Sequence, residues 1–300
     1  MKVTIDESAG FCWGVLQTIR KVDDCLDKSP NEKIYVLGEI IHNPREIERL
    51  EKIGLETIRH KDLEDLPSDS KVIIRAHGEP PSTYNRAEEL GVNLIDATCA
   101  LVKSLQQVVK NYFLRGYQII IFGKRDHAEV VGLRGVCNDE CVVVASEREA
   151  LEKVDFSKKS ILFSQTTMDK PTLKRIAAAL KERFDQMKPD EADDKFFLYR
   201  DTVCKFVSDR ETKLRAFAKS NDVVIFVAGR NSSNGKSLYT ICKEENERTY
   251  FIEDISELDR TLLEGVEKCG ITGATSTPQW YLLEVKKKLN EIYSQSGEEA

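Results

Sequence analysis

Three cysteines of this 300-residue chain share one local setting. GFCWGV holds Cys12, DATC holds Cys99 and DTVC holds Cys204, and each is followed at once by a segment with helical apolar spacing. Asp96 and Asp201 stand three positions ahead of Cys99 and Cys204. Glycines on both sides of Cys12, Gly10 and Gly14, clear backbone space around its sulfur, as close approach of a ligand requires. Eight cysteines in all are spread along the chain with no CxxC pair, which in a reducing compartment favours metal or catalytic use over disulfides. Cys137 and Cys141, in CNDEC beside the apolar run VVVA, read as a strand-end pair, and Cys25, Cys242 and Cys269 have no polar company.

Three thiolates drawn from distant segments suit several groups. Zinc held by three cysteines usually takes a fourth protein ligand and draws its ligands from close pairs. An iron–sulfur cluster held by only three thiolates keeps one iron open to a substrate oxygen, where it acts as a Lewis acid. Ordinary core cysteines are the remaining reading.

Around these thiols stand polar loops. Three of the four histidines, His42, His77 and His127, each open a polar loop after an apolar run. NSSN (231–234, with Ser232, Ser233 and Asn234) and GATSTP (273–278, with Ser276) offer hydroxyls, amides and loop N–H groups of the kind that cradle phosphate oxygens. Turn and N-cap chemistry uses the same residue types. Two histidines joined to these loops point to a diphosphate site, and GxxxxGK[ST] is absent, so it is not a P-loop. Glu129 follows His127 by two residues and is either a first-turn helix carboxylate or a proton relay. QTT, 165–167 with Thr166 at its centre, could position a substrate hydroxyl.

The elements that must carry these loops repeat. Six times a short apolar run leads through a small polar loop into a helical pattern, as parallel strand–loop–helix units do. Cys12 to His42 spans 30 residues, Cys99 to His127 28 and Cys204 to Ser232 28. The second loops follow at 65 (His77), 67 (Thr166) and 72 (Ser276). An α/β fold of three pseudo-repeated domains with parallel sheets is expected: residues 14–98, 99–203 and 204–290, with 291–300 as a tail ending in SGEEA. Ligands of such sheets bind beyond the carboxyl ends of the strands, so the three cysteines and six loops are expected to meet. A net charge of −6 argues against a duplex-binding footprint. With no apolar run long enough for a bilayer and a polar-flanked first strand, the expectation is a cytoplasmic protein without membrane or nucleic-acid partners.

GFCWGV, RAHGEP, DATC, HAEV, QTT, NSSN and GATSTP, in this order and over nearly the whole chain, resemble the 4-hydroxy-3-methylbut-2-enyl diphosphate reductases. The resemblance implies a trefoil of three α/β domains around a [4Fe-4S] cluster ligated by Cys12, Cys99 and Cys204, with residues 1–13 joining the third domain. It implies an allylic diphosphate held by His42, His77, Ser232, Ser233, Asn234 and Ser276, oriented by His127 and Thr166, with Glu129 delivering protons. The implied reaction is the last step of the methylerythritol phosphate route to isoprenoids. Two electrons, from ferredoxin or flavodoxin, and protons remove the hydroxyl as water, leaving isopentenyl and dimethylallyl diphosphates. Ala100 and Ala128 stand where that family usually has proline, which relaxes two loops without removing a ligand or a proton donor. Quinolinate synthases resemble the same plan, but two loop histidines with NSSN favour a diphosphate over a dicarboxylate. A non-enzymatic iron–sulfur sensor would need the cluster and not Glu129.

Overall fold

The structure is a computed structural model that describes residues 1–30, 32–187 and 196–295. Twelve short strands form among these residues: β1 Lys2–Ile5, β2 Ile34–Leu37, β3 Leu55–Ile58, β4 Lys71–Ile74, β5 Asn93–Asp96, β6 Gln118–Phe122, β7 Cys141–Val144, β8 Ser160–Ser164, β9 Phe197–Tyr199, β10 Val223–Val227, β11 Thr249–Ile252 and β12 Lys268–Gly273. Ten α-helices alternate with them: α1 Trp13–Lys28, α2 Pro44–Lys52, α3 Pro81–Glu89, α4 Ala100–Leu114, α5 Ala128–Gly135, α6 Glu147–Lys153, α7 Lys170–Met187, α8 Lys205–Lys219, α9 Ser233–Glu245 and α10 Gln279–Gln295. Of the expected tail, residues 291–295 are thus the last turn of α10, and SGEEA lies outside the described residues. No described helix is long and apolar enough to cross a membrane.

The strands sort into three parallel four-stranded sheets, ordered β3-β2-β4-β5, β7-β6-β8-β9 and β1-β12-β10-β11. The α/β class with three parallel sheets expected from the repeated units is therefore the fold observed. VVIFV of β10 is buried throughout because its two faces pack on different helices. Val223, Ile225 and Val227 join Tyr281, Leu282, Val285 and Leu289 of α10, whereas Val224 and Phe226 join Leu214 and Leu238 of α8 and α9. Each such aliphatic side chain taken wholly from water contributes about 1.5–3 kcal/mol.

By compactness the chain divides into two units, residues 1–27, 39–55 and 205–300 in one, and 28–38 and 56–204 in the other. The first holds the β1-β12-β10-β11 sheet, the second the other two.

In every sheet the strand order reverses between the two central strands, and this is where ligands of open α/β sheets bind. Those strands are β2 and β4, β6 and β8, β10 and β12. The loops leaving their carboxyl ends carry His42 and His77, His127 with Glu129 and Thr166, and Ser232 to Asn234 with Ser276.

Candidate functional site

Each of the three cysteines leaves an edge strand and starts a helix. Cys12 follows β1 and precedes α1, Cys99 follows β5 and precedes α4, and Cys204 follows β9 and precedes α8. Their main-chain N–H groups make equivalent bonds to the loop after the neighbouring central strand. Cys12 donates to the Thr275 carbonyl (3.1 Å), Cys99 to Ala76 (3.0 Å) and Cys204 to Thr166 (2.8 Å). The backbone of each cysteine is therefore held to a loop that carries a candidate residue: Ser276, His77 or Thr166. All three are half-buried thiols. The aspartates ahead of them fasten these turns: Asp96 Oδ1 accepts from Thr98 N (3.0 Å) and Asp201 Oδ1 from Val203 N (3.2 Å). Asp6 does the same for the first, accepting from Ser8 N at 2.9 Å. Sequence reading missed Asp6 because it stands six residues ahead of its cysteine rather than three. Gly10, in that longer connection, has φ +113°, a conformation that residues with side chains rarely adopt.

In the unit of residues 28–38 and 56–204, the loop after β6 becomes α5 with His127 as its N-cap. The ring Nδ1 of His127 accepts from the Glu129 main-chain N–H at 3.2 Å. Because an N–H can only donate, the neutral ring must carry its proton on Nε2, leaving that nitrogen as a donor. The His77 ring meets the His127 ring edge-on, centroids 5.3 Å apart. Behind His77 the buried Glu79 carboxylate takes His60 Nε2 (2.6 Å), Arg75 Nη2 (3.1 Å) and Thr83 Oγ1 (3.3 Å), which holds the RAHGEP loop rigid.

Glu129 lies in the first turn of α5, yet its carboxylate does not cap the helix. It reaches the loop after β8, where Oε1 accepts from Thr166 N and Oε2 from Thr166 Oγ1, both at 2.7 Å. Burial at 1% exposure outweighs these two bonds and pushes its pKa up to about 7. A carboxyl group poised at neutrality is suited to general acid work. Gln165 is wholly buried and committed to the scaffold: Oε1 accepts from Lys124 N (3.1 Å) and Nε2 donates to Thr167 Oγ1 (2.9 Å), tying the two loops together. Of QTT, Thr166 alone touches the titrating carboxylate.

In the other unit, Ser232 caps α9, its Oγ accepting from Gly235 N at 3.0 Å, so its hydroxyl proton is left to donate elsewhere. Asn234 Oδ1 accepts from Thr275 N (3.0 Å) and Thr275 Oγ1 (2.8 Å), which joins the NSSN and GATSTP loops. That bond turns the amide nitrogen the other way, and Asn234 Nδ2 is buried with no acceptor among the described residues. A buried donor left unmade costs about 1–3 kcal/mol, so this one is built for something that accepts. The N-terminus of the 13-residue α9 adds its own N–H groups and positive dipole end, a setting for anions. Ser276 Oγ donates to the His42 carbonyl at 3.3 Å, and His42 Nδ1 stands 2.9 Å from Glu39 Oε2. Gly229 lets this loop approach His42, because a Cβ there would run into the His42 carbonyl oxygen.

The remaining cysteines stay outside these loops. Cys137 is buried just past α5 with its sulfur on the Leu133 and Arg134 carbonyls (both 3.3 Å), and Cys141 opens β7. Cys242 and Cys269 are buried in α9 and β12, and Cys25 is half-buried in α1. Ala100 and Ala128 are the first residues of α4 and α5.

Residues 3–290 match the family model described as LytB protein. A 4-hydroxy-3-methylbut-2-enyl diphosphate reductase of Chloroherpeton thalassium is 44% identical, covering 98% of both chains. One from Bacteroides fragilis is 42% identical, covering 96% of this chain and 97% of its own. The solved structure of (E)-4-hydroxy-3-methyl-but-2-enyl diphosphate reductase, the terminal enzyme of the non-mevalonate pathway, superposes with a TM-score of 0.71 at 32% identity, over 96% of this chain and 99% of that one. The structure of the E-1-hydroxy-2-methyl-but-2-enyl-4-diphosphate reductase from Plasmodium falciparum gives 0.83 at 29% identity, over 96% and 86%.

Proposed function

Because the chain belongs to the LytB family, we propose that it is an oxidoreductase that converts (E)-4-hydroxy-3-methylbut-2-enyl diphosphate to isopentenyl and dimethylallyl diphosphates. Two electrons and two protons enter, the C–O bond breaks, and one water leaves. This is the last step of the methylerythritol phosphate pathway. The observation that carries the reading is Glu129, a buried carboxyl titrating at about 7 with both oxygens on Thr166.

Cys12, Cys99 and Cys204 would hold a [4Fe-4S] cluster. The donors fit it: three half-buried thiols, each at a helix start with its N–H anchored to a loop that carries a proposed substrate residue. When bound, such a cluster supplies electrons one at a time and an iron with an open coordination position.

The chain's own residues do the rest. Asn234 Nδ2, the Ser232 and Ser233 hydroxyls and the start of α9 bind diphosphate oxygens, with His42 and His77 contributing further donors and Ser276 Oγ turning its proton from the His42 carbonyl to the ligand. His127 offers Nε2–H to a substrate oxygen, in the tautomer that Glu129 N enforces. Thr166 Oγ1 donates to the Glu129 carboxylate; once Glu129 is protonated that bond reverses, Glu129 donates to Thr166 Oγ1, and Thr166 passes its own proton to the departing hydroxyl, so the leaving group is water rather than hydroxide.

Three domains, residues 14–98, 99–203 and 204–290 with 1–13, are the organisation that the three sheets support. Ferredoxin or flavodoxin is the electron donor and the cytoplasm the compartment that this chemistry suits.

The test is anaerobic. Reconstituted protein is supplied with reduced methyl viologen and the hydroxymethylbutenyl diphosphate, and dye oxidation is followed for wild type and Glu129→Gln. Turnover in wild type that is lost in the variant supports both the reaction and the relay. An intact four-iron cluster that never oxidises the dye rejects the reductase and leaves a quinolinate-synthase-like or sensor role.

A further inference from the structure

Arg210, on α8, is 5% exposed. Its Nη2 donates to the Gly273 carbonyl, but Nε and Nη1 are buried with no hydrogen-bond partner among the described residues. A guanidinium taken from water with two donors unmade is costly, and one carbonyl does not offset that cost. Stability alone therefore does not account for its presence.

The charges that face it explain the position. Burial lowers its pKa, and the groups whose negative charge acts against this are Asp6 and Cys12. Asp6, also buried, has its oxygens engaged elsewhere: Oδ1 accepts from Ser8 N (2.9 Å) and Ser8 Oγ (2.8 Å), and Oδ2 from Thr272 Oγ1 (2.8 Å). Cys12, whose Sγ accepts from Val15 N (3.5 Å), is the second of the two negative groups acting on Arg210. Arg210 and Cys12 are also fastened to one short stretch after β12, Arg210 to the Gly273 carbonyl and Cys12 N–H to the Thr275 carbonyl. The guanidinium is thus held fixed to the same short stretch as the Cys12 turn, in a low-dielectric setting where a unit charge acts strongly.

We propose that Arg210 is an electrostatic positioning residue, a fixed cation that offsets the Cys12 thiolate as a cluster ligand and makes the bound cluster easier to reduce. This rests on the cluster assigned above. Each reduction adds one electron and so one unit of negative charge to the cluster, and a nearby fixed cation stabilises the reduced form relative to the oxidised one. Asp6 exerts the opposite pull.

The experiment compares wild type, Arg210→Lys, Arg210→Met and Asp6→Asn, each reconstituted anaerobically and poised with dithionite and redox mediators. The reduced fraction is read by electron paramagnetic resonance. At the wild-type midpoint, Arg210→Met should lower the reduced-to-oxidised ratio at least tenfold, a midpoint about 59 mV more negative for one electron. Arg210→Lys, which keeps the charge, should stay closer to wild type, and Asp6→Asn should move the ratio the other way. An anchor for the Gly273 carbonyl and nothing more would change thermal stability without moving the midpoint. An unchanged ratio in Arg210→Met, or Asp6→Asn moving in the same direction as Arg210→Met, overturns the proposal while leaving the cluster intact. If Arg210→Met does not hold a cluster, the sign of the Asp6→Asn shift decides. A wild-type protein that takes up no four-iron cluster overturns the functional reading and this proposal with it.

Discussion

Replacing Glu129 by glutamine removes a titration that the fold makes expensive. In the unfolded chain this carboxyl ionises near 4.5, and in the folded protein near 7, because burial penalises the charged form more than Thr166 stabilises it. Below 4.5 both states are protonated and the residue is neutral to stability. Between 4.5 and about 7 the folded state binds the extra proton, so stability falls as pH rises and levels off above 7. The interval corresponds to about 3 kcal/mol, of which roughly 2–3 should develop between pH 5 and pH 8. Glu129→Gln has no charge to bury, and its stability relative to wild type should therefore rise by that amount across the window. Urea unfolding of the cluster-free proteins at pH 5 and pH 8 measures this. Far-UV circular dichroism is the suitable probe, because Trp13 and Trp280 both lie in the compact unit that does not hold Glu129. A stability difference between variant and wild type that is the same at both pH values would refute the buried, neutral-poised carboxyl. In turnover, kcat of the loaded wild type should fall as pH passes upward through about 7, while Glu129→Gln loses 10²–10⁴-fold in rate.

Other outcomes follow from the same geometry. Asn234→Ala removes the orphaned buried amide donor and should raise KM for the diphosphate substrate roughly 10–100-fold with a smaller change in kcat, the scale of about 1.5–3 kcal/mol for a hydrogen bond to a charged group. Initial-rate kinetics would check it. Cys99→Ser and Cys204→Ser should each abolish four-iron reconstitution, read by iron content and visible absorbance, whereas Cys137→Ser and Cys269→Ser should leave iron content unchanged. Ala100→Pro and Ala128→Pro should each stabilise the protein by about 0.4–1 kcal/mol. Both sites are the first position of a helix, where proline's missing N–H costs nothing, and both preceding residues are already extended, Cys99 at ψ 130° and His127 at ψ 137°. Thermal denaturation would register the gain.

Much was legible without coordinates because it is local. An apolar run of four or five residues, a polar loop and an amphipathic stretch are readable one after another, and their sixfold recurrence is enough to imply parallel α/β sheets. The cysteines were separable for the same reason: Cys12, Cys99 and Cys204 sit at helix starts, while Cys242 and Cys269 sit within apolar periodicity. What depends on neighbours distant in sequence could not be read. Glu129 looks like a first-turn helix carboxylate until the loop after β8 brings Thr166 to it from 37 residues away. Gln165 looks available to a ligand until Lys124 and Thr167 are found to occupy its amide. Arg210 is one more charge on a polar helix until burial strips it of water, and Asp6 gains its place only because β1 lies beside β12. Periodicity and turn chemistry act over a few residues and are written in the chain in order. Burial, tautomer and the direction of a pKa shift are properties of an environment assembled by strand pairing, and exist only once that pairing has been made.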